Sequence, residues 1–269
     1  MTSSPIKAVV FDWAGTMIDF GCLAPVKALV AAFAQEGVAL SADDARRDMG
    51  RAKRDHVAAL LAYPNVARAW TNAHGAAPIE ADGDRLYRAL EPLMLAAAAA
   101  HSDLIPGAAA LATHLTAEGI KIGSCTGYTR AMMAPILAPA AAQGYAPQSL
   151  VCAGETPSGR PSPQMLWRAL IELDAWPPWT CIKVDDAEVG IAEGRNAGCW
   201  TIGVAASGNA VGLGLAEYRA LPEADRQART QAAAASLRTA GAHYVVDTVA
   251  EMGPALAAIA RAIDEGQRA

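Results

Sequence analysis

The sequence predicts an α/β protein whose core is a Rossmann-like, doubly wound parallel sheet, with an all-helical cap domain inserted into it. From about residue 101 onward, short apolar runs alternate with helical segments, which is the pattern of a parallel sheet covered on both faces. Before that point, helix signals follow one another with no convincing strand between them. A chain of 269 residues is long enough for such a core with a smaller appendage.

The strands are predicted from apolar runs that are bounded by small polar residues, as is typical of buried strands. These runs cover residues 7–11, 120–124, 150–152, 181–184, 200–204 and 244–246. Helices of the core are predicted at residues 107–118, 130–143, 161–173, 188–197 and 249–263. The segment 205–230, with its glycines and Pro222, is interpreted as a long loop with one helical turn.

The inserted helical segment begins soon after the first strand. Pro25 starts a helix that Gly37 ends, and Ser41 with Asp44 forms a capping box for the next one. Further helical runs cover residues 53–62 and 79–100.

These signals divide the chain into two predicted domains. Residues 21–100 form the helical cap, and residues 1–20 together with 101–269 form the core. An insertion at this point is expected to lie over the carboxyl ends of the strands, where open α/β sheets bind their ligands.

Composition and charge exclude several classes of protein. No apolar run reaches the length of about 18 residues that a membrane span needs. The five cysteines are odd in number and form no Cys-x-x-Cys pair, so neither a disulfide framework nor a zinc site is indicated. The net charge of −5, with dispersed basic residues, provides no footprint for nucleic acid. The N-terminus lacks the basic region and cleavage site of a signal peptide, and a cytoplasmic location is expected.

Polar side chains follow four of the predicted strands at the point where each strand ends: Asp12, Thr126 with Gly127, Arg160, and Asp185 with Asp186. Carboxylates from two strand ends would repel one another unless a cation lay between them, and oxygen ligands favour Mg²⁺. Such a metal would hold a phosphoryl oxygen, while Thr126, the backbone amides after it and Arg160 donate to the other oxygens. Asp12 is placed to attack phosphorus as a covalent nucleophile.

Turns or helix caps and a dinucleotide site are two other interpretations of the polar and glycine-rich segments. Each polar group on its own is also typical of an ordinary turn or helix cap, and only the combination on successive strand ends favours chemistry. The glycines around residues 212–214 suggest a dinucleotide site, but Glu217 stands where the third glycine belongs and no helix opens there directly after a strand.

These motifs together resemble the haloacid dehalogenase superfamily of phosphotransferases. The resemblance rests on Phe11-Asp12-Trp13-Ala14-Gly15-Thr16, the helical insertion, Ser124-Cys125-Thr126-Gly127, Arg160 and Asp185-Asp186. Superfamily phosphatases usually carry a second Asp, a general acid, at the position that is Ala14 here. This difference, with the motifs at residues 49–56, 126–130 and 193–198, makes the chain similar to the phosphonatase family from Phe11 to near His243.

The resemblance implies hydrolysis of the carbon–phosphorus bond of phosphonoacetaldehyde, a small-molecule phosphonate. Attack at phosphorus would expel a carbanion, and an imine with a lysine can accept its electron pair, so Lys53 is implied as the Schiff-base residue. His56 lies one helical turn further on and can exchange protons with it. Cys22, Met49 and Tyr128 correspond to positions that line the pocket of the family or to ordinary packing positions.

The resemblance also implies a metal site and an assembly. The Mg²⁺ ligands would be the Asp12 carboxylate, the Ala14 carbonyl and Asp186, with Asp185 behind them. Many relatives carry a further Asp at the position that is Gly190 here, and Asp185 is the expected substitute. A homodimer is expected, and a phosphatase for ordinary phosphate esters and a catalytically inactive binding module remain as alternatives.

Overall fold

The core of the protein is a six-stranded parallel sheet in the computed structural model, which describes residues 4–269. The strand order is β3-β2-β1-β4-β5-β6, and every neighbouring pair is parallel. The strands are β1 (Ala8–Phe11), β2 (Lys121–Thr126), β3 (Ser149–Cys152), β4 (Cys181–Asp185), β5 (Trp200–Val204) and β6 (Tyr244–Val246). The predicted parallel α/β core is therefore confirmed.

The central strands are apolar because helices cover both faces of the sheet. Every residue of β1, β4 and β5 is buried, which requires continuous rather than alternating hydrophobicity. The exceptions are Lys183 and Asp185 in β4 and Thr201 in β5, which are polar but completely buried. Since β4 pairs with β1, the carboxyl ends of these two strands lie side by side.

Seven helices accompany the strands after residue 107 of the described chain. They are α6 (Ala108–Ala117), α7 (Arg130–Ala142), α8 (Gln164–Glu172), α9 (Glu188–Ala197), α10 (Leu215–Ala220), α11 (Glu223–Thr239) and α12 (Gly253–Asp264). Short 3-10 turns at Pro178–Thr180 and Val249–Glu251 precede β4 and α12.

Five helices lie between β1 and α6. They are α1 (Leu23–Gln35), α2 (Ala42–Arg46), α3 (Lys53–Ala62), α4 (Pro64–His74) and α5 (Glu80–Ala100). Ser41 accepts a hydrogen bond from the Asp44 amide, as the predicted cap requires. The long helices α1 and α5 pack along each other, and α5 contributes a stripe of buried residues at helical spacing: Leu86, Leu90, Met94 and Ala98.

Two features of the sequence prediction need correction. The segment 205–230 contains α10 and the start of the 17-residue α11, because Pro222 precedes a run with Glu223 and Asp225 in its first turn and many alanines after it. The prediction also had no element at α4, which begins at Pro64 directly after α3 ends. The division into cap and core at residues 21 and 100 stays a prediction.

The chain passes between the sheet and the five helices at two adjacent places. Asp19, in the left-handed backbone region with φ of 53°, accepts a hydrogen bond from the Ala24 amide that opens α1. The Nδ1 atom of His101, which follows α5, lies 3.2 Å from the other Asp19 carboxylate oxygen. The two crossing segments are therefore held together. No helix of residues 4–269 is long and apolar enough to cross a membrane.

The packing of α5 against α1 predicts a stability difference between two leucines of one helix. Leu90 is completely buried, whereas Leu95 is 37% exposed. We expect Leu90→Ala to lower the free energy of unfolding by about 2–5 kcal/mol, because it leaves a cavity. Leu95→Ala should change it by less than about 0.5 kcal/mol. Urea denaturation followed by circular dichroism measures both, and equal losses would contradict the assigned packing.

Candidate active site

The nucleophile candidate Asp12 lies one residue beyond β1, at the carboxyl edge of the sheet. Its backbone N–H donates to the Val184 carbonyl on the neighbouring strand, and its Oδ1 atom accepts from Nη1 of Arg160 at 2.9 Å. Burial, and next the charge of Asp185, raise the pKa of Asp12 to about 6, although Arg160 opposes this. The side chain is therefore fixed in direction and ionised above that pH.

Three carboxylates converge at this edge, as the strand ends predicted. Asp12, Asp185 and Asp186 are all buried, and each offers an oxygen within 4.8 Å of the others. Burial, and then the charges of Asp12 and Asp185, raise the pKa of Asp186 well above its ordinary value. The three groups repel one another in their charged forms, and this repulsion favours a bound cation.

The two adjacent Asp residues have different partners. Asp185 accepts from the Ala187 amide, and its Oδ2 atom lies 3.1 Å from Nζ of Lys183 and 3.4 Å from Nη1 of Arg160. Asp186 accepts from the Thr16 hydroxyl at 3.1 Å and from the Asn209 amide at 2.7 Å. Asp185 is thus neutralised by two cations, whereas Asp186 has only uncharged donors.

Two glycines leave the room that these carboxylates need. Gly15 has φ of 88°, and a Cβ atom there would lie 2.3 Å from an Asp186 oxygen. A Cβ atom at Gly190 would lie 2.0 Å from an Asp185 oxygen. The Asp185 carboxylate therefore occupies the space that a side chain at position 190 would need, and its role as a substitute for an Asp there stays a prediction.

Arg160 is held from three sides beneath the site. Besides Asp12, it donates from Nε to Glu193 at 3.0 Å and from Nη2 to the Cys125 carbonyl. Glu193 also lies 3.3 Å from Lys183, and both side chains are completely buried. The sequence reasoning missed the roles of Lys183 and Glu193, although a lysine inside an apolar strand was a signal for the first.

Lys53 opens α3 and reaches the same pocket from the helical segment. It is 2% exposed, its Nζ atom lies 3.7 Å from the Met49 sulfur, and it lies 5.4 Å from the centre of the Tyr128 ring. Burial lowers the pKa of the Lys53 amine, and the charge of Arg160 adds to this effect. The free amine is therefore available at a lower pH than in an ordinary lysine.

The remaining predicted residues are distributed around this lysine. One pocket is lined by Asp12, Ala14, Cys22, Met49, Lys53, Thr126, Gly127, Tyr128 and Asp186, together with Pro25, Gly50 and Ala187. The space between these groups is about 20 Å³, which is room for about one water. The helical segment thus closes over the strand ends.

Gly127 shows how close this approach is. A Cβ atom there would lie 2.6 Å from the Arg51 carbonyl and 2.8 Å from the Gly50 carbonyl. Nη1 of Arg160 also lies 3.4 Å from the Gly50 carbonyl. The segment before α3 therefore rests directly on the phosphate-binding residues predicted from the sequence.

His56 lies outside the pocket lining, one turn beyond Lys53 on α3. It is completely buried, and burial, with the charge of Lys53 as the next cause, lowers its pKa to about 3. The imidazole is therefore neutral at ordinary pH and is a weaker base than an ordinary histidine. Its part in proton exchange stays a prediction.

Comparison with known proteins gives three findings. A family model of haloacid dehalogenase-like hydrolases matches residues 6–198. The phosphonoacetaldehyde hydrolase of Paraburkholderia phytofirmans is 50% identical over 263 residues, 98% of each chain, and that of Nitratidesulfovibrio vulgaris is 44% identical over 97% of this chain and 94% of its own. A crystal structure of a phosphonoacetaldehyde hydrolase-like protein from Oleispira antarctica has 42% identity and a TM-score of 0.97, covering 99% of this chain and 97% of its own.

The buried charges around Arg160 predict that Glu193→Gln is strongly destabilising. The substitution leaves Lys183 and Arg160 without one of their counter-charges, and we expect a loss of about 3 kcal/mol in the free energy of unfolding. Asp84→Asn is the control, because Asp84 pairs with Arg54 on the surface and should cost less than about 1 kcal/mol. Chemical denaturation compares the two variants, and similar small losses would show that the cluster is not a coupled unit.

Proposed function

The chain belongs to the haloacid dehalogenase-like hydrolases and, within them, to the phosphonoacetaldehyde hydrolases, and from this premise we propose how its residues cleave the substrate. The proposed reaction converts phosphonoacetaldehyde and water to acetaldehyde and phosphate. Lys53 forms a Schiff base with the aldehyde, and Asp12 accepts the phosphoryl group. One observation carries the proposal: a buried lysine that has no carboxylate partner among residues 4–269 faces the pocket that contains the Asp12 carboxylate.

A comparison of the two buried lysines supports this role for Lys53. Lys183 lies within 3.3 Å of both Asp185 and Glu193; burial and Arg160 lower its pKa, but these carboxylates raise it more, so the net shift is upward. Lys53 makes no ion pair with any of residues 4–269, and its pKa is lowered. Only an unprotonated amine attacks a carbonyl, so Lys53 is suited to that step and Lys183 is suited to a permanent positive charge.

The proposed steps balance as follows. The Lys53 amine adds to the aldehyde carbon and water leaves, which produces a protonated imine. An Asp12 oxygen attacks phosphorus, the carbon–phosphorus bond breaks, and its electron pair moves into the imine to form an enamine. Protonation of the enamine carbon and addition of water release acetaldehyde and restore the Lys53 amine. A second water hydrolyses the aspartyl phosphate and releases phosphate from Asp12.

The phosphoryl group would be bound by Thr126 and Gly127, which line the pocket, and by Arg160, which lies directly beneath Asp12. Nη1 of Arg160 donates to the Asp12 carboxylate. Thr126 lies at the end of β2, and its hydroxyl accepts from the Tyr128 backbone amide at 3.1 Å. The Thr126 hydroxyl hydrogen and the amide of Gly127 are the donors that we assign to phosphoryl oxygens. Charge-assisted bonds of this kind stabilise the transferring group.

Ala14 favours this chemistry over hydrolysis of phosphate esters. It lines the pocket two residues after Asp12, where an ester phosphatase of the superfamily would place its general acid. A methyl group cannot protonate an alkoxide, whereas an enamine needs no acid at that position. A Mg²⁺-dependent phosphatase remains the second candidate because the core motifs are shared.

The buried groups of the site fit a divalent metal ion. Four carboxylates, of Asp12, Asp185, Asp186 and Glu193, face the permanent positive charges of Arg160 and Lys183, so two negative charges are in excess. Oxygen donors of this kind suit Mg²⁺, which would polarise the phosphoryl group. We propose the Asp12 carboxylate, the Ala14 carbonyl and Asp186 as ligands, with Asp185 behind them because two cations already engage it.

The other pocket residues are assigned by their contacts. Met49 lies against the Lys53 amine, and Tyr128 and Cys22 complete an apolar wall that excludes water from the imine. His56 lies one turn from Lys53 on α3, and its exchange of protons with the Lys53 amine is proposed from this position alone. A homodimer, a cytoplasmic location and the absence of a nucleic-acid partner also stay predictions.

A Schiff base on Lys53 can be trapped covalently. Reduction of the protein with borohydride in the presence of phosphonoacetaldehyde should attach the substrate carbon skeleton to Lys53, as mapped by peptide mass spectrometry. Lys53→Arg keeps the charge but cannot form an imine, and it should lose the adduct and at least about 10³-fold in kcat/KM.

Lys27→Arg is the matched control, because Lys27 is exposed and should leave both adduct and activity unchanged. An adduct that persists in Lys53→Arg would refute the assignment. High turnover of phosphate monoesters by Lys53→Arg would favour the phosphatase.

The proposed metal site makes activity dependent on Mg²⁺. A chelator should abolish activity, and Mg²⁺ should restore it. In calorimetric titrations Asp186→Asn should weaken Mg²⁺ binding by at least about 100-fold and Asp185→Asn by about 10-fold. Circular dichroism checks that both variants are folded. The reverse ranking would make Asp185 the direct ligand.

A further inference from the structure

The segment of residues 205–214 after β5, here named the β5 loop, has no role in the reaction described above, yet it contacts the site directly. The Asn209 amide donates to Oδ2 of Asp186 at 2.7 Å. The Ser207 hydroxyl donates to the Gly15 carbonyl at 2.8 Å, and the Ser207 carbonyl accepts from the Gly21 amide at 2.8 Å. The loop therefore touches the proposed metal ligand, the turn after Asp12 and the segment that leads to α1.

Arg46, the last residue of α2, binds this loop from the helical side. Its guanidinium donates to the carbonyls of Gly21 at 3.0 Å, Asn209 at 3.2 Å and Gly212 at 2.8 Å. It also donates to the side-chain oxygen of Asn209 at 3.2 Å. The side-chain nitrogen of Asn209, Nδ2, donates back to the Arg46 carbonyl at 3.0 Å. Arg46 and Asn209 thus bind each other reciprocally.

The loop approaches both partners so closely that it requires glycine. Gly212 has φ of 68°, and a Cβ atom there would lie 2.6 Å from Cζ of Arg46. A Cβ atom at Gly208 would lie 2.8 Å from Cβ of Asp186. The backbone of the loop is therefore packed between the arginine of α2 and the carboxylate of the site.

Arg46 differs in this respect from its neighbour Arg47. Arg46 makes no ion pair within residues 4–269, and all polar contacts of its guanidinium go to the β5 loop and Gly21. Arg47 pairs with Asp44 on its own helix and lies over the Tyr63 ring, with about half of its side chain exposed. The planar fork of five donors suits Arg46 to fix several carbonyls at once.

We propose that Arg46 and Asn209 are positioning residues, which couple the placement of the helical segment to the orientation of Asp186. With α2 in place, Arg46 holds the β5 loop so that the Asn209 amide points at Asp186. The same helix leads into α3 and Lys53, so one contact places the lysine and the carboxylate together. This inference rests on the proposed function for its chemistry, and on the observed contacts for its geometry.

The test uses the full-length variants Arg46→Ala, Asn209→Ala and their combination, with Arg47→Ala as control. Hydrogen exchange of the Asn209 amide is the first measurement, because that amide is the donor to Asp186. Arg46→Ala and Asn209→Ala should both speed its exchange by about 10-fold or more, since Asn209→Ala keeps the backbone N–H and removes only the link to Arg46. Arg47→Ala should leave it unchanged.

Metal affinity is the second measurement, by calorimetry with Mg²⁺ alone. Each single variant should bind Mg²⁺ about 10-fold more weakly, and the double variant should be no weaker than Arg46→Ala, because the two residues act as one unit. Arg46→Ala should also slow borohydride trapping at Lys53. If Arg46→Ala folds poorly, Arg46→Lys takes its place in these measurements. It keeps the charge but not the planar fork of donors, and it should show the same effects.

Distinct results would overturn this proposal and the proposed function. Unchanged exchange at Asn209, or single-variant effects that simply add, would refute the coupling even if the enzyme traps its substrate. A lower melting temperature with unchanged Mg²⁺ affinity would mean that the contact only stabilises the fold, and it would also refute the coupling. A wild-type protein that forms no Lys53 adduct would refute the Schiff-base mechanism, whereas the exchange measurement would still decide whether Arg46 orients the loop.

Discussion

The mutual repulsion of buried carboxylates at the carboxyl edge of the sheet is the constraint on which the rest of the site depends. Asp12 follows β1, Asp185 ends the adjacent parallel strand β4, and Asp186 is the next residue. The backbone itself therefore brings oxygens of the three carboxylates within 4.8 Å of one another. Such an arrangement is costly without compensation. Its surroundings provide that compensation through two cations, backbone donors and a set of oxygens suited to a divalent ion.

The basic side chains of this region, Arg160, Lys183 and Lys53, differ in the groups that they contact. Arg160 and Lys183 are each paired with more than one carboxylate and stay charged. Lys53 is equally buried but lies against a thioether and an aromatic ring. Because burial without a counter-charge favours the neutral amine, the pKa of Lys53 is lowered, whereas the carboxylates beside Lys183 raise its pKa.

The helical segment takes part in the site as well as covering it. It supplies Lys53 and Met49, its backbone at Gly50 and Arg51 lies on Gly127, and Arg46 engages the loop that contacts Asp186. The reacting groups of the two parts therefore come together only when the helices lie against the strand ends. In this geometry Lys53 and Asp12, the groups proposed for imine formation and phosphoryl transfer, line one small space.

The strands, the parallel sheet and the candidate residues at its carboxyl edge could be predicted from the sequence, because buried strands and strand-end motifs are local patterns. The helix α11 could not, since the glycines and Pro222 before it are also typical of a loop. The support of Arg160 by Lys183 and Glu193, and the contact of Arg46 with Asn209 across 163 positions of the chain, became visible only in the folded structure. The physical reason is that a pKa, an ion pair or a close backbone approach depends on which elements become neighbours, and that is decided by packing rather than by local periodicity.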